Sequence, residues 1–247
     1  MNQYNSKFKI RNSKLRVGVI FGGRSAEHQV SLVSAASIIK ALDKQKYNIV
    51  PIGISPDGKW ISSQEAVSLL KSATYPKKSE RILSPDPSVK GLLSPAESFP
   101  EITKLDVIFP VLHGSFGEDG TIQGLFELAG IPYVGAGVLG SSAGMDKIVT
   151  KQLCEQSGIP VTPYIWFLMK EYITSKKSIV ERLEKKLGYP CFVKPANSGS
   201  SVGISKAHNR KELIRAIQLA GTYDRKILVE KGIENARRSE EHTSELQ

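Results

Sequence analysis

The residues of this chain that could do chemistry fall in four short segments. Phe192-Val193-Lys194-Pro195 is a β-type run that closes on a lysine and a proline, and Ala196-Asn197-Ser198-Gly199-Ser200-Ser201 follows at once. Val202-Gly203-Ile204-Ser205 leads away as a second β-type run. Small residues let a backbone approach an anion closely and aim N–H groups and hydroxyls at it. Lys194 adds a point charge. The segment fits a phosphate clamp between two antiparallel strands, with a flexible hairpin as the alternative. It is not a Walker loop, because no Gly-Lys-Ser/Thr opens a helix here. Lys147, in Met145-Asp146-Lys147, sits where a helix dipole favours an anion. It is a second phosphate lysine or a solvated one.

Gly22-Gly23-Arg24-Ser25-Ala26-Glu27 joins a strand to a helix, where a dinucleotide fold would place its glycine loop. Gly-x-Gly-x-x-Gly is absent, and a carboxylate occupies the turn. That carboxylate suits a cationic ligand such as an ammonium group. It equally fits plain dipole stabilisation, worth about 0.3–1 kcal/mol. His113-Gly114-Ser115-Phe116-Gly117-Glu118-Asp119-Gly120 crowds ionisable residues and glycines after a buried strand, where loops carry function more often than elsewhere. For His113, substrate contact and a structural role both stand open, and Asp119 also fits a helix cap. Val229-Glu230-Lys231-Gly232-Ile233 ends a strand whose backbone can meet a purine edge, or is simply a strand end.

The elements that must position these residues follow from periodicity. Leu15–Phe21 reads as a buried strand, with Ser25 as the N-cap of a helix whose apolar face is Val30, Val33, Ala36 and Ile38/Ile39. Tyr47–Ile54 and Leu105–Leu112 are further strands, Thr121–Ala129 a helix stopped by Gly130, and Ile131–Val134 a short strand. Between Ser55 and Pro100 turn residues dominate. This alternation implies a parallel sheet with ligands at the carboxyl ends of its strands. After Gly140 the pattern becomes a helix (Asp146–Ser157), a strand (Val161–Leu168), a helix (Lys176–Leu187), the clamp hairpin, an Asn209-capped helix bearing Leu213, Ile214, Ile217 and Leu219, and a strand from Lys226 to Glu230. That is an antiparallel sheet backed by helices.

The 247 residues suffice for one large or two smaller domains, at 40% hydrophobic and 23% charged. Half of the net charge of +10 comes from Lys7, Lys9, Arg11, Lys14 and Arg16, in a stretch without Asp or Glu that reads as a loose basic leader. No basic stripe with interleaved aromatics argues for nucleic acid. No apolar run approaches the roughly 20 residues of a membrane span, and none after the leader is long enough for a signal-peptide core. Cys154 and Cys191 lack framework spacing and read as reduced thiols of a cytoplasmic protein.

Taken in order from about Leu15 to Arg237, these motifs resemble the D-alanine–D-alanine ligase family of the ATP-grasp superfamily. The resemblance rests on Gly22 to Ser31, His113 to Gly120, Met145 to Lys147, and Phe192 to Pro195 with Gly199 to Gly203. It implies a ligase of peptidoglycan synthesis. ATP would phosphorylate the carboxylate of one D-alanine, and the amine of a second would attack the acyl phosphate. Glu27 would hold the ammonium of the first D-alanine, beside Val30, with His113 near its carboxylate. Lys147, Lys194, Gly199, Ser200 and Ser201 would grip phosphates, and Ser200 would also join Glu27 in a catalytic hydrogen-bond chain. Glu230, Lys231 and Ile233 would meet adenine. The acceptor could also be a hydroxy acid such as D-lactate, and a non-catalytic nucleotide-binding module is the alternative of a different class. The resemblance also implies Mg2+ or Mn2+, held by ligands that cannot be mapped onto this sequence, and a homodimer. The domain expectation is a leader over 1–14, a Rossmann-like substrate-binding domain over 15–135, and the first ATP-grasp subdomain over 136–237. The second ATP-grasp subdomain is expected to be missing, leaving an inactive fragment. Residues 238–247 resemble the translation of a sequencing adapter, which makes an artefactual tail the expectation there.

Overall fold

The computed structural model describes residues 13–61, 63–72, 81–94 and 102–233. Most of the expected leader and all of the expected tail lie outside them. The chain divides into two compact units, Met1–Met145 and Asp146–Gln247.

In chain order the first unit holds β1 (Leu15–Gly22), α1 (His28–Ala41), β2 (Tyr47–Ile54), β3 (Trp60–Ile61), α2 (Ser63–Ser72), β4 (Ile82–Leu83), β5 (Gly91–Leu93), β6 (Ile102–Lys104), β7 (Val107–Leu112), α3 (Thr121–Leu128) and α4 (Val138–Met145). The main sheet has the order β3-β2-β1-β7, with β1 parallel to both neighbours and β3 antiparallel at the edge. A strand buried on both faces must be apolar throughout, as β1 is from Val17 to Phe21. Val17, Val19 and Phe21 pack with α1 and α2 through Leu32, Ala35, Ala66 and Leu69. Ile20, Ile52 and Ile108 pack on the other side with α3, through Ile122 and Phe126, and with Leu83 and Leu92 of the small antiparallel sheet β4-β5-β6. The result is a mixed α/β unit with a parallel sheet at its centre.

Several sequence expectations differ from this. The buried face of α1 is His28, Ser31, Leu32 and Ala35, while Val30 and Val33 are exposed. Periodicity missed that face because half of it is polar and pays its desolvation through hydrogen bonds to the ends of the strands. Ile131–Val134 is no strand but a single bridge, Ile108 to Tyr133. The turn-rich stretch holds α2 and short strands, and α4 was not foreseen, because glycines and serines give it no apolar stripe.

The second unit holds α5 (Lys147–Gln156), β8 (Tyr164–Leu168), α6 (Met169–Leu187), β9 (Cys191–Pro195), β10 (Ser205–Ala207), α7 (Arg210–Gly221) and β11 (Lys226–Lys231). Its sheet is antiparallel throughout, in the order β10-β9-β11-β8. Strand alternation sends Phe167, Cys191, Val193, Ala207, Ile227 and Val229 to one face, where they pack on α6 and α7. Trp166, Phe192, Lys194, Leu228 and Glu230 therefore go to the other face. There α5 lies over Ala196 and Leu228 through Ile148. The Asn209 cap forms, accepting from Glu212 N at 3.0 Å, but Glu212 accepts from His208 N at 2.8 Å, one residue earlier than a standard capping box. The buried stripe of α7 is Leu213, Ala216, Ile217 and Ala220, with Leu219 exposed.

Candidate active site

In the first unit the site-forming loops leave the carboxyl ends of β1 and β7. Gly22 and Gly23 have φ of +88° and +94°. A Cβ on Gly22 would stand 2.2 Å from Ile54 O, so only glycine turns the chain there. Ser31 ties the two strand ends together: its Oγ accepts from Gly22 N at 2.8 Å and donates to Val111 O. His28 Nδ1 lies 2.7 Å from Gly23 O. A carbonyl only accepts, so Nδ1 carries the proton. Ser25 is not the helix cap. Its Oγ accepts from Glu27 N at 3.1 Å in a turn, and Glu27 itself is the N-cap residue, without a side-chain cap bond. The Glu27 carboxylate is aimed elsewhere. A Cβ on Gly114, whose φ is +71°, would stand 2.6 Å from Glu27 Oε2, so the absence of a side chain at 114 gives the carboxylate its place beside the loop that follows β7.

That loop is ordered by its own acids. Glu118 accepts from Gly114 N at 2.7 Å, and Asp119 accepts from Phe116 N at 2.8 Å and Thr121 N at 3.0 Å. Asp119 thus does close the start of α3, although the N-cap position itself is Gly120. His113 Nε2 is 3.3 Å from Ser34 Oγ on α1, and the Arg24 guanidinium lies 4.7 Å from the Phe116 ring centre. A cavity of about 210 Å³ is lined by Gly22, Gly23, Leu112, His113 and Phe116 among others. A larger open groove of about 800 Å³ lies at the opposite ends of the strands, beside the Arg16–Asp106 pair. The functional loops of a parallel sheet are at the carboxyl ends, which selects the smaller cavity. Glu27 and His113 are therefore on one loop cluster. Val30 is exposed one helical turn further on.

In the second unit Lys147 and Lys194 converge on the clamp loop and the strand beside it. Asp146 caps α5, accepting from Ile148 N at 3.0 Å and Val149 N at 3.2 Å, and pairs with Lys226. This leaves the Lys147 side chain to reach the clamp: Nζ donates to Ser198 O at 2.5 Å and Ala196 O at 3.3 Å. Burial, then the charge of Lys194, lowers its pKa below the ordinary lysine value. Lys194 pairs with Glu230, one strand away, and Lys151 reaches the other Glu230 oxygen at 2.8 Å. Burial pushes the Glu230 pKa up, but the two lysines outweigh it and hold the carboxyl below its ordinary value.

The clamp loop runs from Ala196 to Ile204, and β10 begins only at Ser205. Ser200 and Ser201 have φ of +45° and +61°, a left-handed conformation that costs non-glycine residues about 1–3 kcal/mol each. Gly203, at +74°, lies against the Tyr223 ring. Asp224 ties down the loop's start, accepting from Asn197 N at 2.8 Å. Gly199 O accepts from Val202 N at 3.0 Å. After Glu230, Lys231 N donates to Pro163 O at 2.9 Å, and Ile233 is exposed. Sequence reasoning missed Lys151. Its signal was the i, i+4 spacing from Lys147.

Two lysines and a strained glycine-serine loop fit the phosphates of a nucleotide in the chemistry of their donors. Among the described residues no three His, Cys, Asp or Glu side chains gather to hold a metal, so these residues do not fit the expected Mg2+ or Mn2+.

A parallel-sheet unit with a carboxylate loop site, followed by an antiparallel unit with a lysine clamp, defines a two-unit α/β architecture. Residues 16–136 match the family described as D-ala D-ala ligase N-terminus, and residues 153–240 that described as D-ala D-ala ligase C-terminus. The chain belongs to the D-alanine–D-alanine ligase family. It is 51% identical over 221 residues to a D-alanine–D-alanine ligase of Natranaerobius thermophilus, covering 89% of this chain and 60% of that protein. It resembles the VanG D-Ala:D-Ser ligase of Enterococcus faecalis, with a TM-score of 0.78 and 37% identity over 90% of this chain and 64% of the other. The Coxiella burnetii D-alanine–D-alanine ligase gives 0.76 and 31%, over 90% and 64%. The chain thus spans about 60% of the length of the curated relatives it matches. Among the described residues no helix is long and apolar enough to cross a membrane.

Proposed function

We propose that this chain carries the first-substrate site and the phosphate clamp of an ATP-dependent, cytoplasmic ligase that joins two D-alanines for peptidoglycan synthesis. The observation that carries the reading is the convergence of Lys147 on the loop that Lys194 opens, with Nζ 2.5 Å from Ser198 O. Phosphoryl transfer needs positioning and charge stabilisation more than covalent chemistry from the protein. The two lysines hold the polyphosphate, and Gly199, Ser200 and Ser201 offer it backbone and hydroxyl donors. Glu230, Lys231 and Ile233 receive the adenine. Glu27 holds the ammonium of the first D-alanine, with Val30 beside it. His113 contacts the carboxylate that becomes the acyl phosphate. Ser200 and Glu27 each keep the catalytic role that the resemblance implies for them. ATP transfers its γ-phosphoryl group to this carboxylate and leaves as ADP; the amine of the second D-alanine then attacks the acyl phosphate, forming the peptide bond and expelling inorganic phosphate.

The portion of the relatives' length that this chain does not span is proposed to contain the second ATP-grasp subdomain and the ligands of Mg2+ or Mn2+, and to complete a homodimeric enzyme. The domain division at 135/136, the leader and the tail belong to the same proposal. A second acceptor is also supported: one similar structure is of a D-Ala:D-Ser ligase, so D-alanine need not be the second substrate.

The test is to purify the 247-residue chain, supply ATP, Mg2+ and D-alanine, and follow phosphate and dipeptide. A metal and an arginine clamp are each worth several kcal/mol, the arginine about 10³–10⁵ in rate. The expected result is ATP binding that Lys194→Ala weakens, with no dipeptide. Sustained dipeptide synthesis sensitive to Lys194→Ala would show that the clamp and loop suffice. Failure to bind ATP would remove the nucleotide reading.

A further inference from the structure

Glu230 is gripped from two elements. Lys194 comes from β9 and Lys151 from α5, one cation on each carboxylate oxygen. All three side chains are largely buried, at 11% exposure for Glu230, 16% for Lys151 and 24% for Lys194. Lys151 lies one helical turn beyond Lys147, its Nζ 5.2 Å from the Tyr164 ring centre and 3.4 Å from Thr162 O. It is therefore fixed by the base of β8 and turned toward the carboxylate rather than toward the clamp loop.

This arrangement removes a conflict. An anion arriving at the clamp must take Lys194 from Glu230, since one ammonium cannot serve a buried carboxylate and a phosphate equally well. With Lys194 as its sole partner, Glu230 would either retain the lysine or be left as an uncompensated buried charge. A second lysine on the opposite oxygen keeps Glu230 compensated in both states. We propose that Lys151 is a positioning residue of the phosphate clamp: by holding Glu230, it frees Lys194 for the anion. The inference rests on the nucleotide reading above and adds to it a residue that does not itself touch phosphate.

The experiment uses the 247-residue chain and two probes, inorganic tripolyphosphate and ATP, with affinities from isothermal titration calorimetry and folding checked by circular dichroism. Lys151→Met is expected to weaken tripolyphosphate binding about tenfold, the size of one charge-assisted contact. Lys151→Arg keeps the affinity. Adding Glu230→Gln to Lys151→Met restores tripolyphosphate binding, because the competitor for Lys194 is gone. A merely structural lysine would not be rescued by deleting its partner. Lys151→Gln, which retains a donor, replaces Lys151→Met in the same comparison if the methionine variant does not fold. Binding unchanged in the single variant, or a double variant no better than the single, overturns the role of Lys151 and leaves the nucleotide reading standing. A folded wild-type chain that binds neither probe overturns both.

Discussion

The two halves of the candidate machinery are built by opposite means. In the first unit the site is a matter of backbone: Gly22, Gly23 and Gly114 with positive φ, hydroxyls that staple strand ends, and a carboxylate placed where a side chain is missing. In the second unit it is a matter of charge: Lys147, Lys151 and Lys194 around Glu230, with Asp146 and Lys226 paired nearby. A zwitterionic amino acid needs shape and one or two correctly placed charges. A polyphosphate needs cations that are held apart until it arrives. The first site should therefore fail when geometry changes, and the second when protonation changes.

The largest expected effect is at Glu27. In a chain extended to the full length of its relatives, Glu27→Gln is expected to leave the ammonium of the first D-alanine without its proposed charged partner, at about 3–5 kcal/mol, or a loss on the order of 10²- to 10⁴-fold in kcat/KM for D-alanine. ATP affinity should hold. Steady-state kinetics with D-alanine varied would reduce Glu27 to stabilising the helix dipole if kcat/KM stayed near wild type.

Glu230→Gln should be next, at about 2–3 kcal/mol of unfolding free energy near neutral pH. Because the folded-state pKa is held below the ordinary 4.5, the contribution of the carboxylate is complete above that value and is lost as pH falls through the folded-state pKa. The difference in Tm between wild type and variant should thus be constant from pH 7 to about 5 and close below it. A gap that persists undiminished at pH 3 would mean that Glu230 stabilises through packing and not through charge.

Gly114→Ala sharpens the comparison from the other side. The variant adds one methyl group at φ +71° and 2.6 Å from Glu27 Oε2, and no charge. A cost of about 1–2 kcal/mol is expected, together with weaker D-alanine use that does not vary with pH between 5 and 8. Thermal melts and the pH profile of KM measure both. A pH-dependent defect would place a titrating group, rather than shape, at the centre of the first site.

How much of this was legible in the sequence follows the same division. The clamp loop and Lys194 announce themselves by composition, and Tyr47–Ile54 by the apolar run that begins at Ile49. The helix begins where Met145-Asp146-Lys147 suggests, with Asp146 as its cap. The partner of Lys151 was not legible, because Glu230 lies on a distant strand and only the packing of α5 on the sheet brings the two together. The buried face of α1 was not legible either, because His28 and Ser31 belong to it through hydrogen bonds to Gly23 O, Gly22 N and Val111 O. Apolar periodicity records burial only where burial is apolar, and functional strand ends are where it is not.

The sheet order has a consequence for how the chain is made. β1 is central, yet one of its two partners, β7, is encoded about 90 residues downstream, as the Arg16–Asp106 pair shows. At roughly 5–20 residues per second, a ribosome needs about 5–18 s to deliver that partner. From the completion of β2 at Ile54 until β7 arrives, the later part of this interval, the β1–β2 pair shows solvent an unpaired row of amides beside Val17, Val19 and Phe21, the kind of edge that recruits other chains. The stretch from Ser55 to Leu105 is thus a delay as well as a connector, during which that edge awaits its second strand.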